Sequence, residues 1–242
     1  MSSLELSVKD LKRFKALSRQ QNYQQIASLV AQNFSRTNDA RRGLTPNYDR
    51  LDDNLAKSII LHDEVVAFYR DNQSLSQQEL AERFSDIKSV FEAHDLDNPD
   101  SVYGRKVDEM AVSISEYLSG NFEEASTVET EVEMENRGLF GRADIIRELE
   151  DGSKEMRDIK MGYSGKNPLE EYGMACYALI SRSDYEIEKF ILEYPLQEME
   201  VEVQPEDWFS VLISDIREFE ELEELYSQNN MIRSGQVEDL KT

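Results

Sequence analysis

Apolar residues along the chain repeat with two different periods. Up to about residue 120 the repeat is helical. Ser7 is placed to cap a helix from Val8 to about Leu17, and a second helix covers Tyr23 to Phe34. Residues 35–49 are rich in Asp, Asn, Gly and Pro and read as a loop. Leu51 to Tyr69, Gln77 to Phe91 and Ser101 to Leu118 each carry an apolar stripe, with a break from His94 to Pro99. From Val128 the period becomes two. Val128, Thr130, Val132 and Met134 alternate with Glu129, Glu131, Glu133 and Glu135, as in a strand with one acidic face.

Two further strands, Leu139 to Leu149 and Met156 to Met161, flank Asp151-Gly152, a hairpin signal. The loop length decides what meets across them. A two-residue turn pairs Glu150 with Ser153, sets Asp144 opposite Ile159 and turns Asp144 and Asp158 to opposite faces. A three-residue loop Glu150-Asp151-Gly152, with Gly152 left-handed, sets Asp144 opposite Asp158, and this odd loop is the expectation. Lys160 shares the face of Asp158. Beyond the hairpin, Asn167, Pro168 and Glu170 mark a helix start. Tyr185 to Tyr194 and Met199 to Val203 read as strands, and Trp208 to Tyr226 as a final acidic helix.

Two carboxylates at one hairpin end repel, and one pKa rises unless a cation lies between them. Mg²⁺ takes oxygen ligands, and a neighbouring ammonium stabilises charge on a phosphate. The plain alternative is a surface hairpin with solvated charges. The segments G-R-A-D-I-I and R-D-I-K-M-G resemble the D…(D/E)-x-K core of the PD-(D/E)XK nucleases, most closely the RecB-like and CRISPR-associated exonuclease branch, over roughly 104–194. The resemblance implies a mixed α/β fold: a restriction-endonuclease-like sheet flanked by helices, with an all-helical N-terminal region. Residues 1–98 would form that region and 99–242 the nuclease-like core. It implies a Mg²⁺- or Mn²⁺-dependent DNA nuclease of repair, recombination, replication or defence. Asp144 and Asp158 would be metal ligands and Lys160 the catalytic lysine.

Other positions follow the family less closely. Its upstream histidine falls on Asp108 in Y-G-R-K-V-D-E, with His62 in I-L-H-D-E-V-V as the rival. Glu131 best suits the glutamate on the preceding strand, with Glu133 next on the same acidic face. The Gln-x-x-x-Tyr of the following helix becomes Gly173-x-x-x-Tyr177, keeping Tyr177 as a supporting residue. Glycine in mid-helix costs about 1 kcal/mol against alanine, so close packing is the expected reason for it.

Composition adds a second axis. The net charge is −23, yet residues 1–50 hold nine Lys or Arg against four acids, an excess of five positive charges, which leaves −28 on the rest. Lys12, Lys15 and Arg19 share a helix face. With Arg41, Arg42 and Arg142 they are candidate contacts to DNA phosphate. One cysteine, Cys176, excludes a disulfide within the chain and the iron–sulfur cluster of some relatives. The absence of a long apolar run points to a soluble, cytoplasmic protein with no membrane partner. The alternative function is a catalytically degenerate nuclease fold that binds nucleic acid or, through its acidic body, a protein.

Overall fold

A computed structural model describes residues 6–20, 25–26, 29, 52–162 and 167–233, with the backbone alone for 226–233. The fold is mixed α/β. The strands are β1 (Leu6–Ser7), β2 (Ser101–Val102), β3 (Arg105–Lys106), β4 (Thr127–Asn136), β5 (Leu139–Glu148), β6 (Lys154–Ile159), β7 (Lys189–Tyr194) and β8 (Met199–Val203). The helices are α1 (Val8–Arg19), α2 (Asp53–Asp71), α3 (Gln77–Ser85), α4 (Ile87–Ala93), α5 (Val107–Asn121), α6 (Pro168–Ser181) and α7 (Glu206–Arg233).

The central sheet runs β4-β5-β6-β7-β8, antiparallel except for the parallel β6–β7 pair. β4 lies along one edge of β5, and β6 and the parallel β1 share the other edge. β1 meets β5 at Leu139 and Phe140, whereas β6 meets it from Ile145 to Glu148. The sheet therefore forks beside Asp144.

Two apolar layers cover the sheet. On one face α1, α6 and α7 pack Leu11, Phe14, Tyr172, Met174 and Phe219 against Ile146 and Met156. On the other, α2 to α5 pack Tyr69, Phe84, Met110 and Ile114 against Ile145 and Ile159. The N-terminal region thus contributes to both layers, and Leu6–Ser7 joins the sheet as a strand. Helices from this region lie on both faces, since each face of a central sheet needs an apolar cover. No helix among the described residues is long and apolar enough to cross a membrane.

Several elements differ from the sequence expectation. The stretch 77–91 is two helices, divided at Asp86. The helix expected from Ser101 starts at Val107, because 101–106 form a hairpin. Its two central residues, Tyr103 and Gly104, both have positive φ, which suits a tight turn rather than a helix. The expected helix at 23–34 and loop at 35–49 fall largely or wholly outside the described residues.

Candidate metal and phosphate site

The β5–β6 turn has the three-residue form. Leu149 N–H donates to Ser153 O at 2.9 Å and Gly152 N–H to Leu149 O at 3.0 Å, with Gly152 at φ +86. The ladder pairs Glu148 with Lys154 and Ile145 with Arg157, so its continuation brings Asp144 opposite Asp158. The ladder stops there. Ile159 N–H, which would donate to β5, donates instead to Asp144 Oδ2 at 2.7 Å. The carboxylate replaces a backbone acceptor at the fork and is oriented by this hydrogen bond.

Across β5, Glu131 lies opposite Asp144 at φ +56 and is missing from an otherwise continuous ladder. Alternation changes phase at this pair. Val132 and Met134 face the α1–α6 layer, as do Ala143 and Ile146, whereas Val128 and Ile145 face the α2–α5 layer. The simple alternation expected from Val128 to Met134 is therefore broken by the left-handed residue. One consequence is that Asp144 can be reached from both layers.

From the α2 side comes His62, whose Nε2 is 3.1 Å from Asp144 Oδ2 while its Nδ1 is 3.2 Å from Asp63 Oδ1. From the α6 side comes Glu170, with Oε2 3.6 Å from Lys160 Nζ. Lys160 Nζ is itself 2.5 Å from Asp158 Oδ2. The ligand atoms of His62, Asp63 and Glu131 lie within 4.8 Å of one another.

The charges are unequally comfortable. Burial pushes the Asp158 carboxyl up, and Asp144 adds to this against the opposing Lys160 ammonium, so it sits above the usual carboxylate range. Burial would raise Asp144 too. Its hydrogen bond to His62, the His62 charge and Lys160 outweigh burial and hold it well below that range. His62 loses to burial but gains more from Asp144 and Asp63, and is pushed up to about 10. Burial raises Glu131 despite the Arg142 charge beside it.

The remaining candidates are scattered. Asp108 is exposed and bonded to Lys88 at 2.7 Å, on the first turn of α5; it is not among the partners of Asp144 or Asp158. His62, the rival candidate, lies on α2 rather than α5 and is the one whose ring meets Asp144. Tyr177 packs its ring over Gly141 of β5, on the face of Asp144 and Asp158. Arg142 Nε is 2.6 Å from Glu131 Oε2. Lys15 pairs with Asp215 at 3.0 Å, and Lys12 pairs with Glu170. Arg19 is exposed, and Arg41 and Arg42 lie outside the described residues. Sequence reasoning missed Glu170 as a site residue and read it only as part of a cap. A carboxylate in the first turn, ten residues past Lys160, was the available signal.

No family model matches the chain, and no curated protein matches it. Among solved structures it is similar to one described as "Crystal structure of SSO0001", at 15% identity and a TM-score of 0.29 over 69% of this chain and 86% of that chain. A similarity this low carries no argument about function.

Proposed function

We propose that this protein is a metal-dependent nuclease that hydrolyses DNA phosphodiester bonds, as the PD-(D/E)XK resemblance implies. The carrying observation is the fork in the sheet. There Asp144, set opposite Asp158 and Lys160, also receives His62 from a helix on the other face. The donors fit a hard divalent cation such as Mg²⁺ or Mn²⁺, being carboxylates with one imidazole. Asp144 and Asp158 would hold it as the resemblance implies, with His62, Asp63 and Glu131, whose ligand atoms converge beside Asp144, as the further donors. When bound, such a cation polarises a phosphoryl oxygen and lowers the pKa of a coordinated water.

The chain's own residues supply the rest. The Ile159 N–H fixes the Asp144 carboxylate, so little reorganisation is left for the reaction. Lys160 places a positive charge beside Asp158, where charge develops on a phosphate. His62 must lose its proton to become a ligand, so binding a cation releases a proton. Arg142 and Arg19 are the exposed candidates to follow the DNA backbone.

A non-cutting, acidic interaction module is the second reading. It is favoured by one observation: Lys12, Lys15 and Arg142 already hold carboxylates. Cleavage of end-labelled single- and double-stranded DNA, with Mg²⁺, Mn²⁺ or chelator, separates the two. Metal-dependent cleavage that falls by about a hundredfold or more in Asp144→Asn, Asp158→Asn and Lys160→Ala supports the nuclease. Absent cleavage, or equal cleavage in all variants, favours the module.

A further inference from the structure

α1 crosses α6 at Gly173. A Cβ at Gly173 would stand 2.8 Å from Lys12 Cδ and 3.5 Å from its Cε. The missing side chain is therefore replaced by the aliphatic stem of Lys12, which explains a glycine inside a helix. The stem carries the ammonium to Glu170 Oε2, one turn earlier on α6. The same oxygen is 3.6 Å from Lys160 Nζ, and Lys160 Nζ is 2.5 Å from Asp158 Oδ2. Positive and negative groups thus alternate from Lys12 through Glu170 and Lys160 to Asp158. Glu170 sits in the first turn of α6 behind the Asn167 cap, where the helix end favours a carboxylate. The side chains of Lys12, Glu170 and Lys160 are 27%, 20% and 23% exposed, sheltered enough for the row to act as a unit.

We infer that Lys12 is a positioning residue for Lys160, acting through Glu170 across the gap that Gly173 leaves. Without Lys12, Glu170 has one cation to pair with and competes with Asp158 for Lys160, so that the ammonium exchanges between two carboxylates instead of staying on Asp158. With Lys12 sharing Oε2, Glu170 stays at the longer distance and Lys160 remains directed at Asp158. The kinetic consequence rests on the nuclease reading, but the positional one does not.

The test uses three variants of the full chain. Lys12→Met keeps the stem and removes the charge. Lys12→Arg keeps the charge, and Gly173→Ala keeps Lys12 but displaces its stem. The first readout is the side-chain order of Lys160 from ¹³Cε relaxation, which needs no activity. It is expected to fall in Lys12→Met and Gly173→Ala and to be retained in Lys12→Arg. The second is DNA cleavage with Mn²⁺, where Lys12→Met is expected to lower kcat about tenfold with little change in KM, and Lys12→Arg to restore most of it. Unchanged Lys160 order in Lys12→Met overturns the proposal. So does a loss confined to KM with a flatter salt dependence, because Lys12 would then be a phosphate contact. Should Lys160 order fall while the wild type cleaves nothing, the positioning role stands and the nuclease reading fails.

Discussion

Asp144 and Asp158 are neighbours, but the strain between them falls on one. Simple repulsion makes removal of either charge stabilising. The structure separates them, because His62 and the Ile159 N–H compensate Asp144 while Asp158 keeps a raised pKa. Asp158 is pushed up to about 6 from an ordinary 3.8, so its stabilising contribution is complete below that ordinary value and is lost as pH rises through about 6. Asparagine imitates the neutral acid, so at pH 8 Asp158→Asn is expected to be more stable than wild type by roughly 1–3 kcal/mol, with the gap closing towards pH 4. Asp144 is depressed, so its contribution is present above the ordinary carboxylate value and lost as pH falls. Asp144→Asn is expected to lower stability at pH 8 by about 1–3 kcal/mol, since it removes the charge that pairs with His62 and leaves the Ile159 N–H a weaker acceptor. Chemical denaturation in chelator at both pH values reads the two signs, and the same sign for both variants at pH 8 would refute this assignment. Glu131 carries a different strain. Its φ of +56 in mid-strand suits glycine, so Glu131→Gly should raise apo stability by about 1 kcal/mol while weakening divalent-ion affinity.

At the scale of elements, β5 organises the site because three neighbours close on it. Gly141 lets α1 and α6 approach: a Cβ there would meet Tyr177 Cε1 at 2.7 Å and Val8 Cγ2 at 2.8 Å. Gly141→Ala is therefore expected to destabilise the protein by about 1–3 kcal/mol through overpacking, seen as a lower denaturation midpoint with an unchanged slope. Wild-type stability in that variant would show that the two helices do not clamp the strand. Behind the site, β6 turns Glu155 and Arg157 to the α2–α5 layer. There Arg157 bonds Glu155 and Glu193, Arg147 bonds Glu155, and Tyr69 donates to Glu193 at 2.7 Å. Glu155→Gln leaves these arginines partly uncompensated in the interior and is expected to cost about 3 kcal/mol or more. A loss below 1 kcal/mol by the same denaturation measurement would mean that water reaches the pair.

For the whole molecule, net charge and site pull in different directions. A chain at −23 is stabilised by any salt, so a divalent ion must be compared with monovalent salt at matched ionic strength. Binding to the folded site alone adds about 2.7 kcal/mol at one hundred times the dissociation constant. The expected result is an extra rise in melting temperature with Mg²⁺ or Mn²⁺ in wild type, largely lost in Asp144→Asn. An equal rise in both proteins would remove Asp144 from the ligand set.

Local chemistry was enough to read much of this from the chain. Asp151-Gly152 and the alternating strands around it locate the hairpin but admit two loop lengths; the odd loop, expected as the one that sets Asp144 opposite Asp158, is the form the backbone takes. The α6 start at Asn167-Pro168 and the close packing at Gly173 are legible for the same local reasons. What lies beyond sequence is everything that depends on a long-range approach. Asp108 and His62 both carry a plausible spacing, and only the packing of α2 on the sheet brings His62 to Asp144. Lys12 reads as one more surface cation until α1 is laid across α6. The phase break at Glu131 is invisible because a run of alternating Val and Glu signals an unbroken strand. Its left-handed backbone is a strain that the surrounding ladder and the fork impose, not a preference of glutamate.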